Sequence, residues 1–405
     1  MNVVIVGGGP AGMMLGLLLA RGGIQVTVLE KHGDFLRDFR GDTVHASTIR
    51  LMDELGLGAK FRKLPQSRLG ELEAPLPDGS RIVLSDIAGL PEPYNYVAMM
   101  PQWDLLNFLA EEAAREPSFT LLMNTAVTGL LREGGKVVGV RCGDLELRAD
   151  LTVACDGRHS TIRHELGLAA REFPVPFDTW WFRLPRHPEE RDEIARLNGQ
   201  FKGDQIALSF TRGDYYQIAY FTRKGADPQL RAEGVERFRE RIAGLLPQFA
   251  DRVDHLRSMD ELHLLDVKLN RVERWYAEGV LLIGDAAHAM SPAGGMGINL
   301  AIQDAVAAAT VLIEPLRAGS LSTADLAKVQ KRRWWPTVLV QRYQQVLHRA
   351  MFVPAFSGKG ARPPRPLVFL ARYFPPFKKI PSKLLAFGPR PEQGPVYARR
   401  PEQRP

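Results

Sequence analysis

Gly7, Gly9 and Gly12 follow directly on the β-branched run of residues 3–6, and Glu30 closes a second apolar run 18 positions after Gly12. In a strand–turn–helix–strand unit, Gly7 permits the sharp turn, Gly9 lets the backbone approach a pyrophosphate, and Gly12 lets the helix pack closely on the strand. The phosphates then meet the unpaired N–H groups and positive dipole end of the helix. Glu30 is placed to take the ribose hydroxyls of an adenosine. Its charge repels a 2′-phosphate, so the unit suits FAD or NAD better than NADP.

Two further Gly/Asp elements end apolar runs. Residues 151–155 lead into Asp156-Gly157, with Ser160 and Arg163 opening the next helix. Residues 279–283 lead into Gly284-Asp285, a loop with Pro292, Gly294, Gly295 and Gly297, and a helix over 298–313. The carboxyl end of a strand is where ligands bind in open α/β sheets. A glycine-rich loop opening a helix again offers N–H groups to something anionic. His288 has no partner at a metal-ligand spacing and reads as structural.

These residues need elements to position them. Helices are expected over 13–20, from Thr43 or Ser47 as cap through Ile49, Leu51, Met52 and Leu55 to Gly56, and over 102–112. Arg40, in the loop before the second of these, is either a phosphate or flavin contact or a solvated charge. Alternation over 69–84 around Pro77-Asp78-Gly79 predicts a hairpin. Strands are expected over 120–128 and 136–142, the latter pairing with 145–148. After residue 171 the character changes to aromatic, β-rich runs over 179–184, 205–210 and 215–222, with a polar helix over 228–245. Such a sheet can wall off a pocket with Trp180, Trp181, Phe182, Tyr215 and Tyr216, although any single aromatic fits a core equally well. The expected organisation is a discontinuous dinucleotide domain (1–67, 99–170 and 269–356), a substrate domain (68–98 and 171–268) and a tail (357–405).

The 405 residues are 45% hydrophobic and 24% charged, as in a globular chain with a full core. Two cysteines, Cys142 and Cys155, and the absence of C-x-x-C exclude a disulfide framework, a zinc site and a disulfide reductase. The motif starts at residue 3, leaving no room for a leader, and no stretch is judged to approach a membrane span of about 18 apolar residues. A cytoplasmic protein is therefore expected. The net charge of +7 belongs to the tail, where residues 357–405 hold 11 Lys or Arg against two acids, so the body is slightly acidic. Nucleic acid is not an expected partner of the body. The tail also holds 11 of 29 prolines and reads as a strap over the main domain, a homodimer contact, or a peripheral membrane contact. Its separate composition predicts that it is dispensable for cofactor binding.

Taken together, Gly7-x-Gly9-x-x-Gly12 with Glu30, Asp156-Gly157 and Gly284-Asp285, in this order and spacing, resemble the class A flavoprotein monooxygenases, the para-hydroxybenzoate hydroxylase-like family, over residues 2–350. The resemblance implies an α/β fold: a Rossmann-type FAD-binding domain, an inserted antiparallel β-sheet substrate domain and a helical C-terminal tail. It implies resident FAD, with NADH or NADPH as a transient reductant that has no Rossmann domain of its own. Glu30 then meets the adenosine ribose, Arg40 and Gln102 the flavin side, and Asp285 the ribityl chain. Gly297, Ile298 and Asn299 face the pyrimidine ring, and Asp156 and Arg163 serve both FAD and the nicotinamide. Ala11 and Val127 complete the cofactor set; Trp181, Tyr215, Tyr216 and Pro292 are the candidate substrate contacts.

The implied reaction is hydroxylation of an aromatic or other electron-rich small molecule by O2 through a flavin C4a-hydroperoxide, with no catalytic base assigned. A reductase, oxidase or epoxidase of the same fold acting on an isoprenoid, quinone or polyketide is the alternative, and a non-catalytic binding protein the remoter one. The Trp-x-Trp-x-Ile-Pro stretch of flavin halogenases is absent, since Trp180-Trp181 does not match it.

Overall fold

The computed structural model describes residues 1–36, 43–75, 81–190, 197–359 and 375–401. Its centre is a six-stranded sheet in the order Tyr276–Ala277, Val280–Leu282, Leu151–Ala154, Asn2–Val6, Gln25–Leu29, Phe119–Leu122. All neighbours are parallel except the first pair. The strands are apolar on both faces because both are covered. Val3, Ile5, Val26 and Val28 pack under the helices Pro10–Arg21 and Gly297–Arg317. Val4, Val6 and Leu282 pack under the meander Gly129–Glu133, Lys136–Cys142 and Leu145–Arg148. The chain order reverses between Asn2–Val6 and Leu151–Ala154, which makes the carboxyl ends of these two strands the switch point of the sheet.

The second layer is a five-stranded antiparallel sheet, in the order Leu197–Lys202, Gln205–Thr211, Tyr215–Arg223, Phe177–Pro185, His263–Leu265. The chain leaves for it and returns through one two-stranded ribbon, Ala170–Glu172 against Asn270–Val272. Helix Asp227–Leu245 and the turns of Pro247–His255 cover one face. The other face closes over the loops of the first domain. The predicted hairpin forms as Glu71–Pro75 and Arg81–Asp86, with Pro77-Asp78-Gly79 outside the described residues.

Several expectations change. Neither Thr43 nor Ser47 caps the helix Ala46–Glu54: His45 is the cap residue, and Thr43 lies in a short strand, Thr43–Val44, paired with Val97–Met99. The strand expected over 120–128 ends at Leu122, because Asn124 takes a positive φ of 55° and turns the chain. Helix Gly297–Arg317 is, contrary to the sequence reading, long and apolar enough for a membrane span, yet it is a core helix with 72% of that window buried. Helix Thr323–Leu347 was not anticipated at all. Its buried face carries Arg333, Gln341 and Gln344 among apolar residues, so its hydrophobic period is broken.

The tail is not a separate unit. Helix Pro375–Phe387 lies on the hairpin, with Ser382 Oγ accepting from Asp86 N at 2.9 Å. Beyond it Glu392 is buried, Ala398 O accepts from the Arg21 guanidinium at 3.0 Å, and Tyr397 O–H donates to Ala309 O at 3.4 Å. These contacts argue against a dispensable tail. A charged, proline-rich composition does not prevent docking when the charges find buried partners.

Candidate cofactor and substrate site

The fingerprint glycines divide by what a side chain would meet. At Gly7, with φ at +104°, a Cβ would stand 2.5 Å from the Cys155 carbonyl, which puts the fingerprint turn against the Asp156 turn. A Cβ at Gly12 would collide with the Gly7 carbonyl, whereas one at Gly9 meets nothing within 4 Å. Gly9 caps Pro10–Arg21 without a side-chain bond, so the first-turn N–H groups are presented to open space. Ala11 is buried and faces Gly284. Glu30, 1% exposed, accepts from Gly8 N at 2.9 Å and His32 N at 3.1 Å. Val127 packs, part-buried, against the cluster that contains Val4, Val6 and Leu29.

Asp156 Oδ2 accepts from Ile162 N at 3.1 Å, and Oδ1 is buried with no partner. Burial pushes its pKa up. Ser160 caps the following turn by accepting from Arg163 N at 3.0 Å. The Arg163 guanidinium donates to Ala286 O at 3.0 Å and Arg158 O at 2.6 Å. It thus braces the Asp156 turn against the Asp285 turn, with donors turned to backbone rather than toward a ligand. Asp285 is part-exposed in the turn Gly284–Ala286.

That turn hangs on a residue the sequence reading passed over. Asp304, fully buried, accepts from Gly284 N at 3.1 Å, lies 2.5 Å from His288 Nε2, and accepts from Arg333 Nε at 2.9 Å. Burial alone would raise its pKa, but His288 and Arg333 more than offset this and hold it below the usual carboxylate value. Arg333 also pairs with Glu392 at 3.4 Å, and Glu392 with Arg332. The signal was available: a carboxylate flanked by apolar residues on the buried stretch of a helix must have a buried partner.

Helix Gly297–Arg317 begins at Met296 with no side-chain cap, so Gly297, Ile298 and Asn299 supply the orphan N–H groups of its first turn. The Asn299 side chain points elsewhere, its Oδ1 accepting from His45 N at 2.9 Å and Thr48 Oγ1 at 2.8 Å. The preceding loop is held from behind. Gln344 Nε2 donates to Ser291 O at 2.8 Å and Ala293 O at 3.0 Å, and His348 Nε2 lies 2.9 Å from Ser291 Oγ. His45 Nδ1 lies 2.5 Å from Leu385 O of the tail helix, and burial pushes its pKa down to about 4. Gln102 opens helix Gln102–Ala113, part-buried. Arg40 lies outside the described residues.

Between the antiparallel sheet and these loops is an apolar cluster that includes Ala46, Met99, Phe177, Trp181, Phe210 and Ala293. Trp181, 9% exposed, packs on Phe210 at 5.8 Å between ring centroids, and its buried Nε1 has no partner. Pro292 precedes Ala293, whose side chain belongs to this cluster. Tyr215 carries the Arg183 guanidinium 4.7 Å over its ring. Tyr216 is a correction: it packs on Phe249 at 4.5 Å under the helical layer, as do Trp180 and Phe182 within the same cluster. Successive strand residues point to opposite faces, so adjacent aromatics cannot all line one pocket. The open cradle at Gly9, the unpartnered Asp156 Oδ1 and the uncapped start of Gly297–Arg317 together fit a dinucleotide lying across the switch point.

A family model described as an FAD binding domain matches residues 1–340. The chain is 37% identical over 371 residues to 6-methylpretetramide 4-monooxygenase of Streptomyces rimosus, covering 89% of this chain and 87% of the relative. Rifampicin monooxygenase of Streptomyces venezuelae is 28% identical over 307 residues, or 75% of this chain and 62% of that longer protein. Among solved structures, PqsL of Pseudomonas aeruginosa, described as a probable FAD-dependent monooxygenase, superposes with a TM-score of 0.73 at 25% identity, covering 88% of this chain and 98% of its own.

Proposed function

The chain belongs to the FAD-binding-domain family of flavin-dependent monooxygenases, and from that premise we propose that it hydroxylates a planar, fused-ring aromatic of the polyketide kind. The observation that supports this substrate class is the apolar, aromatic cluster on the sheet face that meets the flavin-site loops, in which one buried N–H donor, Trp181 Nε1, lacks a protein partner. Similarity to 6-methylpretetramide 4-monooxygenase points the same way.

FAD, reduced by NADH or NADPH, supplies the electron transfer and O2 activation that side chains lack. The chain's own residues bind, orient and exclude water. First-turn N–H groups after Gly9 hold the pyrophosphate, Glu30 the adenosine ribose and Asp285 the ribityl hydroxyls. The N–H groups of residues 297–299 stabilise negative charge on the pyrimidine side of the reduced ring. Met99, Phe177 and Phe210 exclude water from the reacting face, and Trp181 Nε1 donates to a substrate oxygen. His45, held neutral by burial, adds no competing charge beside the glycine loop at ordinary pH. The tail serves as a strap: it bonds His45 and, through Glu392 and Arg333, steadies the Asp285 turn.

The test is a panel of fused-ring aromatics, simple phenols and isoprenoids, scored by acceleration of NAD(P)H consumption. Fused-ring compounds should accelerate it most, and Trp181→Phe should raise KM for oxygen-bearing members about fivefold, the worth of one net hydrogen bond, while leaving flavin content unchanged. Acceleration by isoprenoids alone would sink this substrate class.

A further inference from the structure

Helix Thr323–Leu347, continued through the wider turns of His348–Phe352, shows solvent a stripe unlike the rest of the surface. Trp335 is 45% exposed, Leu339 42%, Val346 64% and Val353 44%. These are four of the nine exposed large hydrophobic side chains among the described residues. Trp335, Leu339 and Val346, spaced by four and seven residues, share one face of the α-helix, and Val353 follows across the wider turns. Lys331, Arg342 and Arg349 are exposed and fall in the same i, i+3, i+4 series, so the face reads Lys331, Trp335, Leu339, Arg342, Val346, Arg349, Val353. No carboxylate lies in that series. The only acid in residues 323–353 is Asp325, at the helix start and bonded to Lys328 at 2.8 Å. The opposite face of the same helix is buried, with Arg333 on Asp304, Gln341 on Asn270 and Gln344 on Ser291.

We infer that this face docks the enzyme on an anionic lipid surface. A helix with a cationic, aromatic and aliphatic face, fixed parallel to the surface by its buried side, is the form that lies in a headgroup layer. The cations meet anionic headgroups, and Trp335 sits at the boundary where an indole is favoured. A second copy is the poorer occupant: two such faces would bring arginines against arginines with no acid on the stripe to answer them. The inference is independent of the substrate class proposed above, because it uses the exposed face of the helix, opposite its buried hydrogen-bonding residues.

The full chain, loaded with FAD, is floated with vesicles of phosphatidylcholine alone and of phosphatidylcholine mixed equally with phosphatidylglycerol, at low and at physiological salt. Binding should need the anionic lipid and weaken with salt. Replacing Arg342→Glu with Arg349→Glu should weaken it by more than about twentyfold, taking about fivefold for each cation. Leu339→Ser with Val346→Ser should weaken it too, at unchanged flavin content and thermal midpoint. Failure of the parent protein to float on anionic vesicles overturns the inference. So does equal floating of parent and variants, which would assign the contact to the basic tail. A parent that does not float but elutes as a dimer, with the variants monomeric, would assign the face to a second copy or protein partner instead.

Discussion

Gly9 and Gly12 stand three residues apart and do different work. Gly12 is needed by the fold, since a Cβ there strikes the Gly7 carbonyl, while Gly9 faces open space. Gly12→Ala should therefore lower the thermal midpoint of the flavin-free protein. Gly9→Ala should leave that midpoint in place and weaken FAD by about tenfold or more, the loss of one charge-assisted contact to phosphate. Titration of the flavin-free variants with FAD, beside their melting curves, separates the two, and equal behaviour would remove the pyrophosphate from this turn. His45 gives a second prediction. Its pKa falls to about 4 on folding from 6.5, so between these values the unfolded state binds the extra proton and stability falls as pH falls. The loss by pH 4 is up to about 3 kcal/mol from this group, and His45→Gln should flatten the slope in denaturant melts across that window; an unchanged slope would contradict the burial assigned to His45. Residues whose role is set by local backbone geometry, such as Gly7 and Gly12, were legible in the sequence. Tyr216 was not, because which face a strand residue takes depends on what each face of the sheet packs against.

At the scale of elements, the turn that carries Asp285 is fixed by a chain of buried charges running from the core helix to the tail: Gly284 N and His288 on Asp304, Asp304 on Arg333, Arg333 on Glu392. Arg333 is 1% exposed, so removing a carboxylate leaves an unanswered buried charge. Such losses cost about 3–5 kcal/mol. Deleting residues 388–405 should accordingly lower the midpoint and release FAD, and Glu392→Gln should do so by less, followed as the rise of free-flavin fluorescence on heating. Full flavin retention by the truncated chain would make the tail an ornament of the fold. The helix Thr323–Leu347 escaped the sequence reading for the same reason that it matters: polar side chains replace apolar ones on its inner face, so its periodicity is lost while its hydrogen bonds hold the glycine loop.

For the whole molecule, the parallel sheet was legible because its first βαβ unit is local, and because a glycine turn and two Gly/Asp turns mark the carboxyl ends of three of its strands. The antiparallel layer was visible as a change of composition after residue 171, but its contact with the first domain rests on side chains from segments far apart in sequence. That contact brings Phe177 and Trp181 of the sheet into one cluster with Ala46, Met99 and Ala293 of the first domain, and the chain passes between the layers through the ribbon of Ala170–Glu172 and Asn270–Val272. On the function proposed above, flavin oxidation is coupled to a bound substrate rather than to water. The measurement that bears most directly on this is turnover of a substrate that accelerates NAD(P)H oxidation under labelled O2, with the product analysed by mass spectrometry. One labelled oxygen atom per product molecule, in proportion to NAD(P)H consumed, is the expected result; hydrogen peroxide alone, with no label in any product, would contradict monooxygenation and leave an oxidase.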